Sequence, residues 1–383
     1  MVGAKSKNNL LVIGVHPTSE GYPNTLYRLR DLKASGLFHL TEINVPMWRN
    51  GKQDRHGFFR QIRKFGRALF SHATVMFRYL AVKRPELIYV PYPAVFVLFL
   101  LSLLPVRLRP QRVVADAFIS LYDAIVHDRY LLRKEGLPAR LLNWMEKRAY
   151  AFADVVVVDT PQNARFLCSL FNLPKSKVIA VPLSTDETNF RYMPYHPQSG
   201  ICHVLFIGTL VPLHGVGTIL AAASLLSDRL DIHFKFIGDG QDASVVEAWQ
   251  SKHKLALNWE RKWLSSEQLA KEISHADICL GIFGAGDKTQ RVCPFKIYAY
   301  AAMGRPVITG ETAWLKAHAN ALSLKAFASV PVNDAAALAA KIIQLADDPE
   351  QRKYLAVNSR QFYETHLGNQ AALEKLVACL LGR

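Results

Sequence analysis

Short apolar runs rich in β-branched residues alternate with stretches of helical period along the whole chain. The runs Leu10–Val15, Leu87–Val90, Val113–Asp116, Val155–Asp159 and Val178–Val181 predict strands in the first half. His203–Gly208, His233–Ile237, Asp277–Ile282, Pro306–Thr309 and Ala328–Val332 predict strands in the second. Most of these runs are continuously apolar, as expected of parallel strands covered on both faces. Gly217–Leu226, Ser266–His275, Ala335–Ala346 and the stretch Leu355–Leu381 read as helices. Alternation of β and α implies parallel sheets with right-handed crossovers, hence an α/β chain of two Rossmann-like domains.

Pro182 to Pro197 holds three prolines and the polar stretch Ser184 to Asn189, and a new apolar strand follows it. The expected division is therefore 1–186, 187–355 and a C-terminal helical region 356–383 that packs back towards the first domain. A length of 383 residues suits two domains. The formal charge of +16 is uneven. Residues 1–186 carry 27 basic and 13 acidic side chains, the remainder 20 and 18. Two domains with different partners follow from that split. The five cysteines are scattered without a C-x-x-C pair, which fits a reduced, cytoplasmic compartment. The longest apolar run, Ala94 to Pro105, is shorter than the ~20 residues of a membrane span. No signal peptide or transmembrane segment is expected.

Arg49 to Arg84 contains ten basic side chains and one acid. On a helical wheel Arg60, Arg63, Lys64, Arg67 and Arg78 cluster opposite Phe58, Ile62, Phe65, Leu69, Ala73, Met76 and Leu80, with Phe59, Phe70 and Phe77 at one flank. Such a segment is either a helix packed on the sheet with a solvated basic face or an interfacial helix on anionic lipid. Nucleic acid ranks below both, because no zinc-finger spacing or RNP-like aromatic motif accompanies the charge.

Three segments of the second half carry candidate chemistry. In His203 to Gly217 a strand ends at Gly208, and a second glycine cluster opens a helix, a junction that can hold a phosphate. In Phe234 to Gly240 a strand runs into a Gly-Asp-Gly turn, where Gly238 and Gly240 permit close approach. In Leu280 to Thr309 a glycine-rich loop bears Lys288, Arg291 and Lys296 before a short helix that ends at Gly304. Three cations around a helix N-terminus suit a diphosphate. No G-x-G-x-x-G follows any strand, which disfavours a dinucleotide-dependent dehydrogenase.

In this order and spacing the segments resemble the GT-B glycosyltransferases of family 4. The Gly-x-Leu turn and the Gly helix start appear at Gly208–Gly215, the Ile-Gly-x-Gly turn at Ile237–Gly240, and the Pro-x-Lys, helix, Gly-x-Pro-Val-Ile signature at Pro294–Ile308. Asp116 to Arg129 and Ala153 to Thr160 look like a bacterial branch of the same family. The resemblance spans about residues 10 to 380. It implies two Rossmann-like domains facing each other across a cleft, and transfer of a sugar from a nucleotide-sugar donor with retention. The donor would lie on the C-terminal domain, held by Gly208, Thr209, His214, Gly215, Gly238, Gly240, Lys288, Arg291, Pro294 and Lys296. No obligatory metal and no other cofactor are expected, and the absence of any D-x-D agrees. Two departures stand out. The family's paired glutamates fall at Arg291 and Ala299, and its basic pair at Thr209 and His214. Lys288, Arg291 and Lys296 are expected to supply the missing charge.

On the acceptor side, Asp116, Asp123, His127 and Asp128 follow a strand end. Asp116 is the first candidate to polarise an acceptor hydroxyl or stabilise positive charge, with Asp123 and His127 next and Asp128 read as structural. His16, in the loop after the first strand, is a further acceptor-side candidate. The reading is a hexosyltransferase-like enzyme on a glycan or lipid-linked acceptor in cell-surface polysaccharide synthesis, cytoplasmic and peripheral at the inner face of the membrane. Its rivals are a catalytically silent GT-B-like protein that binds nucleotide or glycan, and a nucleotide-sugar epimerase.

Overall fold

The computed structural model describes residues 8–18, 23–46, 58–197, 200–253, 257–319 and 325–382. The chain forms two compact units, Met1–Ser184 with Asn369–Arg383, and Thr185–Gly368. Of the region 356–383, residues up to Gly368 thus belong to the second unit and only the last helix to the first.

In the first unit the strands are β1 (Asn8–Gly14), β2 (Phe38–Asn44), β3 (Leu87–Val90), β4 (Arg112–Phe118), β5 (Val155–Val158) and β6 (Val178–Ala180). They form one parallel sheet in the order β2-β1-β3-β4-β5-β6. Its helices are α1 (Pro23–Ala34), α2 (Phe58–Leu80), α3 (Val95–Leu103), α4 (Leu137–Phe152) and α5 (Pro161–Phe171). The strand residues divide by parity, as the two-residue period requires. Leu11, Ile13, Ile88, Val90, Val113 and Val156 pack with α2, α3, α4 and α5. Leu10, Val12, Leu87, Tyr89, Val114 and Val157 pack on the other face with α1 and the C-terminal helix. Both faces are covered, which is why the strands read as unbroken apolar runs.

The second unit repeats the plan with β7 (Cys202–Ile207), β8 (Ile232–Ile237), β9 (Asn258–Glu260), β10 (Ile278–Leu280), β11 (Val307–Gly310) and β12 (Ala328–Val330), ordered β12-β11-β10-β7-β8-β9. Its helices are α6 (Val216–Leu225), α7 (Ala243–Lys252), α8 (Ser266–Ser274), α9 (Asp287–Arg291), α10 (Phe295–Ala302), α11 (Ala313–Ala319), α12 (Ala335–Asp347) and α13 (Pro349–Phe362). The last helix, α14 (Asn369–Leu381), belongs to the first unit. In each sheet the order reverses once, between β1 and β3 and between β7 and β10. Ligands of open α/β sheets bind beyond the carboxyl ends of strands at such a reversal.

The basic segment forms α2 as predicted, but it packs through a different stripe. Ser71, His72, Val75 and Tyr79 are buried, whereas Leu69, Phe70, Ala73, Phe77 and Leu80 face outwards. On that stripe His72 Nδ1 meets the Ala68 carbonyl at 2.7 Å and Tyr79 Oη donates to the Leu108 carbonyl at 2.7 Å, while His72 Nε2 is buried without a hydrogen-bond partner among the described residues. The side chains of Phe58, Phe59, Arg60, Ile62, Arg63, Lys64 and Phe65 lie outside the described residues. Among the described residues, no helix is long and apolar enough to cross a membrane.

Candidate functional site

In the second unit three loops stack at the carboxyl ends of β7, β8 and β10. Gly208 follows the end of β7, its N–H donates to the Ile237 carbonyl, and Leu210 N–H donates to the Asp239 carbonyl. The two glycine turns are thus zipped together. A Cβ on Gly238 would overlap the Gly208 carbonyl oxygen, and one on Gly240 the Leu210 carbonyl oxygen. The third loop joins through Phe283 N–H to the His214 carbonyl at 3.1 Å and Gly284 N–H to the Leu213 carbonyl at 3.2 Å. Gly215, in the left-handed region at φ 65°, starts α6, and a Cβ there would stand 2.5 Å from the Phe283 carbonyl carbon. The close approaches that these glycines serve are between backbone loops.

Against this stack lies Lys296, in the first turn of α10 behind Pro294. It is 5% exposed, and its Nζ has no hydrogen-bond acceptor among the described residues. The ammonium sits 3.9 Å from the centroid of the Phe206 ring. The side a Cβ of Gly208 would occupy is bounded by Lys296 Nζ and by His214 Cε1, each at 3.0 Å. Burial holds the Lys296 amine well below the usual lysine range. α10 is registered on β7 by Tyr300, whose Oη accepts from the Ile207 N–H at 3.2 Å. Lys288 and Arg291, on α9, are also buried, and Arg291 Nε donates to the Asp287 carbonyl at 3.2 Å. Thr209 is half-buried beside Gly208. Ala299 is fully buried inside α10, so the position where the family commonly has a glutamate is packed with a methyl group.

In the first unit the expected acceptor residues fall into separate settings. Asp116 is 2% exposed and its carboxylate is fully engaged. Oδ2 accepts from Arg28 Nη1 at 2.5 Å and Tyr89 Oη at 2.8 Å, and Oδ1 accepts from the Phe118 N–H at 3.0 Å. Arg28 Nη2 also donates to the carbonyls of Val181 and Pro182. This buried ion pair ties α1 to β4 and to the segment after β6, so the geometry gives Asp116 a structural task. Asp123 and His127 come together in a widened π-type turn, with Asp123 Oδ1 and His127 Nδ1 3.3 Å apart and the Tyr122 ring edge-on to the imidazole. Asp123 is buried, whereas the His127 side chain is one-third exposed. Asp128 is buried in the same turn.

His16 is 1% exposed beyond the end of β1, next to the sheet reversal. Its Nε2 lies 3.1 Å from Glu42 Oε1, and Lys33 donates to Glu42 Oε2 at 2.7 Å. The bond from His16, with Lys33 beside it, brings the Glu42 carboxyl down to about 2. These groups line a cavity of about 540 Å³ between α1 and β2.

Sequence reasoning missed Arg28, Tyr89 and Glu146. The last was visible. Ala139, Leu142, Glu146, Ala149, Tyr150 and Ala153 recur at helical spacing, with one carboxylate in an otherwise uncharged stripe.

Residues 202–348 match the family model described as glycosyl transferases group 1. No curated protein matches the chain at a significant level. Among solved structures, sucrose-phosphate synthase from Thermosynechococcus elongatus superposes with a TM-score of 0.71 at 15% identity, covering 97% of this chain and 98% of that one. HepE from Anabaena, solved with UDP-glucose, gives a TM-score of 0.69 at 10% identity, covering 98% and 100%. TarM from S. aureus, solved with UDP and alpha-GlcNAc-glycerol among its ligands, gives 0.59 at 12% identity over 78% of this chain. This chain spans only 56% of TarM's length. The second unit therefore carries the glycosyl transferases group 1 signature, and the two units together have the GT-B glycosyltransferase fold.

Proposed function

We propose that the chain transfers a sugar from a nucleotide-sugar donor on its second unit to a glycan or lipid-linked acceptor on its first. The transfer retains anomeric configuration and needs no obligatory metal or other cofactor. Lys296 carries this reading: a buried ammonium without an acceptor, at the carboxyl end of β7 beside the sheet reversal, is a site suited to an anion. As the bond from sugar to phosphate breaks, negative charge grows on the leaving diphosphate. Lys296, the N-terminus of α6 and the cations Lys288 and Arg291 would stabilise it. Asp123 and His127 would take the proton of the acceptor hydroxyl, and His16 would sit on the acceptor side.

A panel of nucleotide diphosphates and nucleotide sugars, titrated calorimetrically in chelator, is expected to give micromolar binding of one base. If none binds with or without divalent cations, the donor reading is wrong. The buried Ala299 favours one rival, a silent GT-B-like nucleotide binder, because no carboxylate is available there for a ribose. Nucleotide binding without turnover of any donor would establish that rival. Turnover of free donor without acceptor would establish an epimerase.

The same proposal places the chain on an anionic membrane surface, in cell-surface polysaccharide synthesis at the cytoplasmic face. Its support is the outer side of the helices that cover one face of the first sheet. Phe70 and Phe77 on α2 are 69% and 76% exposed, and Leu103, Val106, Leu141 and Trp144 are also exposed. These helices pack side by side, His72 against Phe96 and Phe99 against Trp144. Arg67, Arg78, Arg107, Arg140 and Lys147 are exposed among them. Basic residues contribute about 1 kcal/mol each near anionic lipid, and the exposed apolar side chains enter the headgroup boundary. The protein is expected to co-float with phosphatidylglycerol vesicles and not with phosphatidylcholine vesicles. Replacing Phe70 and Phe77 by Ser is expected to cut binding at least about a hundredfold, as loss of two buried apolar side chains at roughly 1.5 kcal/mol or more each implies. Equal binding to both vesicle types, or no effect of the double replacement, would remove the membrane from the proposal.

A further inference from the structure

The acid–base pair of the first unit hangs from an unusual piece of backbone. β4 leaves its ladder through a register shift between Asp116 and Phe118, and Phe118 itself adopts φ 47°, a left-handed conformation rare for an aromatic residue. After Ile119 the three residues Ser120 to Tyr122 are all fastened to one side chain. Glu146, on α4, is fully buried. Its Oε1 accepts from the Leu121 N–H at 2.9 Å and from Tyr150 Oη at 2.9 Å. Its Oε2 accepts from the Tyr122 N–H at 2.8 Å and from Ser120 Oγ at 3.1 Å. Ser120 Oγ in turn accepts from the Asp123 N–H at 3.0 Å. One carboxylate thus fixes the turn that launches Asp123 and, one helical turn on, His127.

We propose that Glu146 is the positioning residue of the Asp123–His127 pair, acting through Ser120 and the Ser120–Tyr122 backbone. The inference rests on the acid–base role given to that pair above. A carboxylate buried at this depth is an expensive way to hold a turn unless every lone pair is engaged, and here four donors converge on it. Two of the four, Ser120 Oγ and Tyr150 Oη, are hydroxyls that can reverse and accept, so the cluster accommodates Glu146 in either protonation state. Burial pushes Glu146 up to about 7, against the opposing hydrogen bonds from Tyr122, Tyr150, Leu121 and Ser120. Tyr122, Asp123 and His127 on the turn, Tyr150 on α4, Tyr92 after β3 and Asp116 on β4 are the titratable groups around this cluster. The latch is therefore expected to change its grip near neutral pH.

The test reads the pair directly and needs no sugar substrate. Diethyl pyrocarbonate acylates accessible imidazoles, and the rate at His127 is followed residue by residue by mass spectrometry on the full chain, with exposed His233 as internal reference. Glu146→Gln and Ser120→Ala are each expected to raise the His127 rate about threefold, the size expected when one hydrogen bond of roughly 0.6 kcal/mol is lost. Asp123→Asn is expected to do the same, and the Glu146→Gln, Asp123→Asn double variant to match the single ones, because all act on one contact. Divided by the His233 rate, which cancels the imidazole's own protonation, the wild-type His127 rate is expected to change near pH 7 and that of Glu146→Gln to stay flat. A purely structural Glu146 would alter thermal stability and leave the His127 rate at the wild-type value. That result, or effects of Glu146 and Asp123 that multiply, would overturn the inference. Nucleotide binding on the same samples reports separately on the donor reading. Ser120→Ala keeps the test decisive if Glu146→Gln does not fold.

Discussion

Lys296→Met is expected to make the protein more stable and nearly unable to bind nucleotide. The two effects have one cause. In the free chain the ammonium is buried without an acceptor, which disfavours its charged form and lowers its affinity for protons. The folded state then binds fewer protons than the unfolded chain at pH values below the ordinary lysine range and above its own lowered one. Stability is therefore lost as pH falls below the ordinary lysine range and recovers as pH rises towards it. A methionine of similar length keeps the contact with the Phe206 ring and removes that cost, a gain of order 1–3 kcal/mol. A charge-assisted contact to a diphosphate is lost at the same time, and affinity for the nucleotide is expected to fall about a hundredfold, equivalent to ~3 kcal/mol. Thermal unfolding and calorimetry on one preparation check both signs. A variant that melts lower and binds nucleotide as well as wild type would mean that Lys296 is a packing residue. Opposed changes in stability and function are the general mark of a residue kept for its chemistry.

The second large effect is expected at Gly238. Its φ of 133° is a conformation that only glycine adopts readily, and a Cβ would overlap the Gly208 carbonyl oxygen. Relief requires the two turns to part, which breaks the backbone bonds from Gly208 to Ile237 and from Leu210 to Asp239. Gly238→Ala is expected to cost at least ~3 kcal/mol in urea unfolding and to abolish nucleotide binding, because strain and lost hydrogen bonds add. Gly217, nine residues beyond Gly208 in the first motif, is the control. It lies inside α6 with nothing within 4 Å of a Cβ, so Gly217→Ala is expected to stabilise by ~0.5–1 kcal/mol. Equal effects at the two positions would refute the zipped-loop account.

The layered architecture was legible because each central strand is buried on both faces, which writes an unbroken apolar run into the sequence. Of the edge strands, β6 and β12 were legible too, but β2 and β9 were not. β2 reads Phe-His-Leu-Thr-Glu-Ile-Asn and is half exposed, and β9 is only Asn-Trp-Glu. Neither has the composition of a buried strand. In the candidate site, the glycine turns and the cationic loop were visible as motifs, yet nothing local distinguishes Lys296 from Lys288 and Arg291. That distinction comes from β7 bringing Phe206 and Gly208 under α10. Asp116 drew attention because it ends a strand, but its partner Arg28 lies 88 residues away in sequence. Pairings of that range leave no spacing pattern to read. In α2 the wheel's apolar stripe is left facing outwards at Leu69, Ala73 and Leu80, and the fold buries its neighbour instead.

The return of α14 to the first unit has a consequence for the making of the molecule. One hydrophobic layer of the first sheet, around Leu10, Val12 and Leu32, is completed by Ala372, Leu376 and Leu380. Arg112 clasps the Cys379 and Leu380 carbonyls at 2.8 and 3.1 Å, holding that helix in place. During synthesis residues 1–184 emerge first but cannot close this layer, whereas residues 185–368 have all they need in one continuous stretch. The second unit is thus able to mature before the first, inverting the usual order in which domains fold as they leave the ribosome. Until the last helix arrives, the nascent chain exposes an apolar sheet face of the kind that chaperones bind.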